Sequence, residues 1–379
     1  MRAPGAGVSC AGLDFSSGSV AFIVLTAYSF SFSRMGSRSF AHISDLDEAR
    51  QDGFRPESWP EAATRGVIPV IVGPTASGKT DLLVSLAAPS IHGLSRHSPH
   101  PWGSSERLAI GQGRAAAQLE IISADAFTVY RGMDIGTAKP SAEIREQLPH
   151  HLVDILDPVE SYSAGRFAAD AETALADILS RHRLPVICGG SGLYISALVE
   201  GLHDLPTATP SSRDKVSDRE ELLESIRERD PAAADELRDA PSHRLVRTLE
   251  VLAGSGRTLA ELRSGQRHKS RFSFALHTIS LDRSELYRRI NARVERMFAG
   301  GLVEEVEALR ARGVRPDMVS QKAIGYREVH EFLEGVIDRP EMVRLVQRNT
   351  RRYAKRQETW IRNKFPHAIR VGHELSLYK

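Results

Sequence analysis

Cysteine is nearly absent from this chain. Cys10 and Cys188 are the only two in 379 residues, too few for a disulfide framework or a cysteine-ligated zinc cluster, and a reducing compartment suits them best. Net charge is also lacking: 50 Lys and Arg against 48 Asp and Glu leave +2. The chain is not basic as a whole, so any nucleic-acid surface must come from local clustering. Long apolar runs are missing too. Val20 to Leu25 is apolar, but serines and Tyr28 follow and the run is too short to span a membrane, so no membrane association is expected. Acids are scarce at the start, where Asp14 is the only one in the first 44 residues, beside Arg2, Arg34, Arg38 and many serines. That composition fits a variable or unstructured extension over 1–66, or upstream sequence ahead of a start at Met35. It also overlaps with organelle transit peptides. A cytoplasmic protein is expected, with an organellar one as the alternative.

What is present begins at residue 67. Val67 to Val72 is a short β-branched run of the kind found in buried parallel strands. Gly73-Pro74-Thr75-Ala76-Ser77-Gly78-Lys79-Thr80 follows and fits G-x-x-x-x-G-K-[ST], the phosphate-binding loop. Its glycines let backbone N–H groups close on an anion, and the helix predicted from Gly78 turns its positive end toward it. Lys79 supplies a point charge and Thr80 a hydroxyl for Mg²⁺. The motif identifies phosphate or diphosphate and leaves the reaction open.

Pro89 to Gln118, with three prolines and four glycines, has no period and is expected to be a loop insertion. His92, His97 and His100 within it have no nearby carboxylate cluster and are not expected to bind metal. Leu119 to Asp125 is predicted to be a second buried strand ending in an acid. Ligands gather at the carboxyl ends of parallel strands, so Asp125 should face the phosphate loop, where it could hold Mg²⁺ or accept a proton; a helix N-cap is the plainer alternative. Val129 to Pro140 is predicted to be an ordered loop, and the histidine pair at 150–151 to precede a short apolar strand running to Pro158. Ser163 to Ser180 has the helical spacing Phe167, Ala171, Leu175, Ile178, Leu179. A strand at Leu184 to Cys188 leads into a second glycine turn, Gly189 to Tyr194. From Pro206 the chain becomes charged and helical, broken at Pro210, Pro231 and Pro241, with Arg244, Arg247 and Glu250 on one helical face. A strand is predicted at Phe274 to Leu281, then helices at 284–298, carrying Arg289 and Arg293 one turn apart, and 302–310. The end is basic. Arg344, Arg348, Arg351, Arg352, Lys355, Arg356, Arg362 and Lys364 alternate with Tyr353 and Trp360, a mixture suited to phosphate contact and base stacking. Pairing with Glu341 and Glu358 on a solvated helix is the plainer alternative.

Taken together, these stretches resemble the tRNA dimethylallyltransferases (tRNA isopentenyltransferases). The resemblance rests on Gly73 to Thr80, Ile122 to Asp125, Tyr130 to Pro140, His150 to Pro158, Tyr162 to Ala171, Gly189 to Tyr194, Arg247 to Val251, Arg289 to Val294, Ala323 to Tyr326 and Thr350 to Trp360. The run Gly-Met-Asp-Ile-Gly-Thr-Ala-Lys-Pro at 132–140 is its most specific piece. It implies an α/β fold: a P-loop NTPase-like parallel sheet flanked by helices, with a helical tRNA-binding insertion and a helical C-terminal part. The expected divisions are 67–205 for the core, 206–243 for the insertion, 244–365 for the rest of the core with the basic region, and 366–379 for a tail.

The resemblance implies transfer of a dimethylallyl group from dimethylallyl diphosphate to N6 of the adenosine 3′ of the anticodon, with Mg²⁺ as cofactor, tRNA as partner and a monomeric enzyme. By the same resemblance Asp125, Ser191 and Arg293 are catalytic, Gly73 to Thr80 bind the diphosphate and Thr80 the metal. RNA contact is implied at Asp125, Ala126, Phe127, Thr128, Ser191, Arg213, His243, Arg244, Leu245, Val246, Arg247, Lys322, Gly325, Tyr326 and Arg327. The sequence departs from the family's pattern at Ala126 to Thr128, at Ser191, in the 89–118 loop and in a short insertion. The competing readings are a soluble adenylate prenyltransferase, a nucleotide kinase, and a non-catalytic RNA-binding protein.

Overall fold

The computed structural model of the protein describes residues 66–87, 119–203, 205, 218–265 and 267–371. The N-terminal extension up to residue 65, the 89–118 insertion with its histidines, Arg213 and residues 372–379 lie outside the described residues.

Strand β1 (Val67–Val72) runs into the phosphate loop and helix α1 (Lys79–Ala87). β2 (Leu119–Ala124), α2 (Ala142–Gln147), β3 (His150–His151), α3 (Ala164–Ser180), β4 (Leu184–Gly189) and α4 (Gly192–Val199) follow. A short β5 (Leu202–His203) leads out to helices α5 (Arg219–Arg227), α6 (Pro231–Glu236), α7 (Ser242–Ser255) and α8 (Leu259–Ser264), and β6 (Arg267–His268) leads back. β7 (Ser273–Ile279), α9 (Arg283–Ala299), α10 (Leu302–Ala311), α11 (Tyr326–Leu333), α12 (Arg339–Lys364) and β8 (Ile369–Val371) complete the described elements.

One sheet has the order β3-β2-β4-β1-β7-β8, and every pairing in it is parallel. A parallel sheet needs cover on both faces, and β1 meets that need by alternation. Ile68, Val70 and Val72 join a core with Phe167, Ala171, Leu175 and Ile178 of α3, while Ile71 joins a second core with Leu83 and Ala87 of α1. This is the expected P-loop NTPase-like sheet flanked by helices. Because β1 lies between β4 and β7, the phosphate loop leaves the middle of the sheet, flanked by the ends of its neighbours.

The helical insertion has its own small core of Leu222, Ile226, Ala233, Ala234, Leu237, Leu245 and Leu252. β5 and β6 form the antiparallel ribbon at its base. The boundary expected at 243 falls inside α7, because α7 packs on α5 through Leu245 and Leu252 and cannot be divided from it. Pro231 opens α6 and Pro241 caps α7, the positions where a ring without an N–H is tolerated.

Two further expectations are corrected. The strand predicted after the histidine pair is the pair itself, with His150 and His151 opposite Ile121 and Ile122. Leu152 and Asp154 adopt left-handed backbone conformations, φ 62° and 57°, which interrupt an extended run despite its apolar character. The segment 366–379 is not all tail, since Ile369–Val371 adds β8 to the sheet edge beside β7. Among the described residues no helix is long and apolar enough to cross a membrane.

Candidate active site

The phosphate loop turns sharply, with Ala76 and Gly78 at φ 64° and 87°. Lys79 Nζ donates to the carbonyls of Gly73 and Pro74 at 2.9 and 2.8 Å. Its burial lowers the ammonium pKa; Arg293 acts in the same direction, Cys188 and Asp125 against it. Ser77 Oγ is buried without a hydrogen-bond partner. A polar atom left unpaired inside an anion-binding loop is what an incoming phosphate oxygen or metal-bound water would satisfy.

Asp125 stands at the end of β2, as expected. Its Oδ1 accepts the N–H groups of Phe127 at 2.9 Å and Thr128 at 3.4 Å. No helix starts here, so the carboxylate is not a helix N-cap; it caps a turn instead, and this leaves Oδ2 as the oxygen without a hydrogen bond. Its charge is felt by Lys79, Cys188, Tyr194, Arg293 and Tyr353. Ser191, which starts α4, accepts the Ala126 N–H at 3.0 Å, so the two strand-end turns are stitched together.

Helix α9 brings Arg289 and Arg293 to the same place. A side chain added at Gly78 would lie 3.5 Å from Arg289 Nη1. Arg293 Nη2 donates to Thr137 O at 3.1 Å, and burial pulls its guanidinium down to about 10, with Arg296 assisting and Asp125 and Asp81 opposing. Lys79, Arg289 and Arg293 with the α1 N-terminus make a cationic cradle beside Asp125, with Asp81 in the first turn of α1 and Glu285 paired to Arg289 at 2.6 Å, an arrangement for a multiply charged leaving group. Among the described residues no three His, Cys, Asp or Glu side chains form a metal cage. The half-buried Thr80 hydroxyl in the first turn of α1 and the unpartnered Ser77 Oγ are hard oxygen donors. They fit Mg²⁺, which takes much of its shell from substrate phosphates and water.

The loop at 130–140 is held by groups the sequence did not single out. Glu305 of α10 accepts the N–H groups of Asp134, Ile135 and Gly136 at 2.8, 2.7 and 3.2 Å, and the Tyr326 hydroxyl at 2.5 Å. Buried Lys139 pairs with Asp134 and Asp154 at 2.6 and 2.5 Å. Nothing distinguishes Glu305 from Glu304 or Glu307 in sequence. Gln357 is a second such group. Its Oε1 accepts Thr75 N–H at 2.9 Å and its Nε2 donates to Gly190 O at 2.8 Å. A lone amide in the charged run Lys355-Arg356-Gln357-Glu358 is the only signal the sequence offers for it.

The residues expected to touch RNA divide into two groups. His243 and Arg244 are exposed on α7, and Lys322 and Arg327 are exposed in the C-terminal part. Arg247 is half-buried and paired with Glu250 at 3.2 Å. Leu245 is fully buried in the core of the insertion, with Val246 packed against that core. Tyr326 is fully buried, its hydroxyl committed to Glu305, and Gly325 is buried with its N–H on Glu328. The side chains of Leu245 and Tyr326 and the N–H of Gly325 are thus engaged within the fold. Thr128 is also turned inward, its hydroxyl 3.1 Å from that of Ser123. On α12, Arg352, Lys355, Arg356, Thr359 and Trp360 line an open groove of about 480 Å³. Arg344 pairs with Glu341 and Arg351 with Asn291, so part of the basic run is occupied within the fold.

A family model described as IPP transferase matches residues 128–364. A tRNA dimethylallyltransferase 2 of Geotalea uraniireducens is 41% identical over 303 residues, 78% of this chain and 89% of its own. The tRNA dimethylallyltransferase of Geobacter sulfurreducens is 40% identical, covering 80% and 91%. The crystal structure of a tRNA isopentenylpyrophosphate transferase from Bacillus halodurans superposes with a TM-score of 0.54 at 32% identity, over 81% and 90% of the two chains. A eukaryotic dimethylallyltransferase crystallised acting on tRNA shares the fold, with a TM-score of 0.64 at 23% identity over 82% and 75%. With the glycine cradle, Asp125 and Arg293 assembled at one end of a parallel sheet, and with relatives of this identity aligned over most of their length, the chain belongs to the tRNA dimethylallyltransferase (IPP transferase) family.

Proposed function

We propose that the protein transfers the dimethylallyl group of dimethylallyl diphosphate to N6 of the adenosine 3′ of the anticodon in tRNA. The observation that carries this reading is the meeting of three parts at the carboxyl end of the sheet: the cradle of Lys79, Arg289 and Arg293, the carboxylate of Asp125 and the second glycine turn at Ser191. The diphosphate lies in the cradle, where Lys79 exchanges its bonds to Gly73 O and Pro74 O for phosphate oxygens. Thr80 would hold Mg²⁺ against those oxygens; when bound, the ion neutralises charge on the departing diphosphate.

N6 bonds to C1 of the prenyl group as the C1–O bond breaks, and the electron pair of that bond leaves with the diphosphate. Asp125 Oδ2 takes the N6 proton. Asp125 Oδ1 meanwhile keeps its turn bonds, so the base is held in place as it works. The target adenosine must leave the anticodon-loop stack to reach this site. The groove of Arg352, Lys355, Arg356 and Trp360 supports an RNA acceptor over a free nucleotide, for which such a surface has no use.

Labelled dimethylallyl diphosphate offered with tRNA, AMP and ATP in parallel tests the reading. Label is expected in tRNA and dependent on Mg²⁺. Label in AMP, or stoichiometric ATP turnover, would replace it with the adenylate prenyltransferase or the kinase.

A further inference from the structure

Helix α12 presents two stripes. Arg352, Lys355, Arg356 and Thr359 open onto the groove that Trp360 closes. On the other stripe Tyr353, Gln357 and Trp360 follow one another at helical spacing and meet the catalytic turns. The Tyr353 phenol stands beside Ser191 and Gln357, which oppose the rise in its pKa that burial and Asp125 cause. A side chain added at Gly192 would come within 2.6 Å of the Trp360 ring, so the indole lies against that backbone. Between them Gln357, 7% exposed, spans Thr75 N–H and Gly190 O with both ends of its amide.

This buried amide thus ties the phosphate loop of β1 to the glycine turn of β4. A side chain at Gly190 would overlap Gln357 Nε2, which explains why the turn must be bare there. Its amide accepts from one loop through Oε1 and donates to the other through Nε2 at the same time. The same helix carries the groove cations on the adjoining face, with Trp360 shared by both, so one element bears the groove and the tie between the two catalytic turns.

We infer that Gln357 is a positioning residue that couples RNA held on the outer stripe of α12 to diphosphate binding in the phosphate loop. This rests on the proposed function for the identity of the two ligands. The coupling is a binding free energy shared by two sites, so it is reciprocal and measurable without turnover.

The test uses the full chain with Mg²⁺, inorganic pyrophosphate as the probe of the cradle and an anticodon stem-loop RNA as the probe of the groove. In the wild type, saturating RNA is expected to tighten pyrophosphate by about fivefold or more. Gln357→Met keeps the volume but makes neither hydrogen bond. It is expected to weaken pyrophosphate roughly tenfold and to abolish the effect of RNA, while RNA affinity alone changes little. Gln357→Glu keeps the acceptor for Thr75 and faces Gly190 O with an oxygen. Its effect should run in the same direction, and it supplies the readout if the Met variant does not fold. Wild-type pyrophosphate affinity and wild-type coupling in these variants would overturn the inference. So would a fall in RNA affinity with pyrophosphate unmoved, which would make Gln357 a plain RNA contact. These titrations do not depend on prenyl transfer, so failure of the functional reading is seen separately, as wild-type enzyme that labels no tRNA.

Discussion

Glu305 gives the sharpest test of how the 130–140 loop is held. Replacing it with alanine removes one acceptor from four donors. The N–H groups of Asp134, Ile135 and Gly136 converge on its two oxygens, and the Tyr326 hydroxyl completes the set. Asp134 is exposed, so water takes over part of its bond at little cost. The Tyr326 ring is fully buried, and its hydroxyl would be left with no replacement. Such an orphaned donor costs about 1–3 kcal/mol, and the less exposed loop N–H groups bring the sum to about 2–5 kcal/mol. At about 2.1 cal/mol/K of unfolding entropy per residue, that corresponds to a fall in Tm of roughly 2–6 °C for a chain of this size. Thermal unfolding and amide exchange at 133–137 would measure it. Tyr326→Phe made together with Glu305→Ala should cost less than the sum of the two, because the orphan is removed with its acceptor. Since Thr137 O in the same loop receives Arg293, kcat should fall as well. An alanine variant melting within about 0.5 kcal/mol of wild type, the range of an ordinary surface change, would refute the reasoning.

Asp125→Asn keeps an acceptor for the Phe127 and Thr128 N–H groups but cannot take a proton, so kcat should fall about 10²-fold or more with pyrophosphate binding little changed; near-normal kcat would remove Asp125 from the chemistry. Lys79→Ala and Thr80→Ala should each raise the KM for dimethylallyl diphosphate, and Thr80→Ala should also raise the Mg²⁺ requirement, read from rates across a metal titration. Arg352, Lys355 and Arg356 changed together to Ala should flatten the dependence of log K for tRNA on log salt by roughly 0.7–0.9 for each phosphate left unneutralised, and an unchanged slope in filter binding would leave α12 a solvated helix. Burial lowers the His150 imidazole to about 4, with Arg145 and His151 also lowering it and its bond to Leu148 O opposing them. The unfolded chain therefore binds the extra proton, stability rises with pH between about 4 and 6.5, and His150→Gln should flatten that rise by about 3 kcal/mol in denaturant titrations at several pH values.

What could be read in advance was local. The phosphate loop, the strand before it and the acid ending β2 are contiguous signals. The buried face of α3 follows from its spacing alone. The residues that organise the site from afar could not be found in this way. Glu305 and Gln357 act through partners on distant elements, and their neighbours carry the same charges or polarity. β3 and β8 are too short for a periodic pattern, and the Leu152 and Asp154 backbones are set by the loop they join. Tyr326 and Leu245 lie in stretches that a family resemblance places near RNA. Proximity along the chain says nothing about which way a side chain points, and both of these point inward.

The pairing of β1 also has a consequence for how the molecule is made. Val67 to Val72 is the first strand among the described residues to leave the ribosome, yet one of its neighbours, β7, begins at Ser273. Between them the chain must pass through the whole insertion, and β7 itself acquires β8 only at Ile369–Val371. The central strand therefore waits with an apolar edge unpaired for most of synthesis. Pairings so distant in sequence make folding slow, because loop closure precedes any gain from pairing. During that wait the exposed edge is open to pairing with another chain. The insertion, with a core of its own, can fold while the sheet is still incomplete. Truncations that remove β8 or β7 should therefore give aggregated protein more readily than soluble fragments.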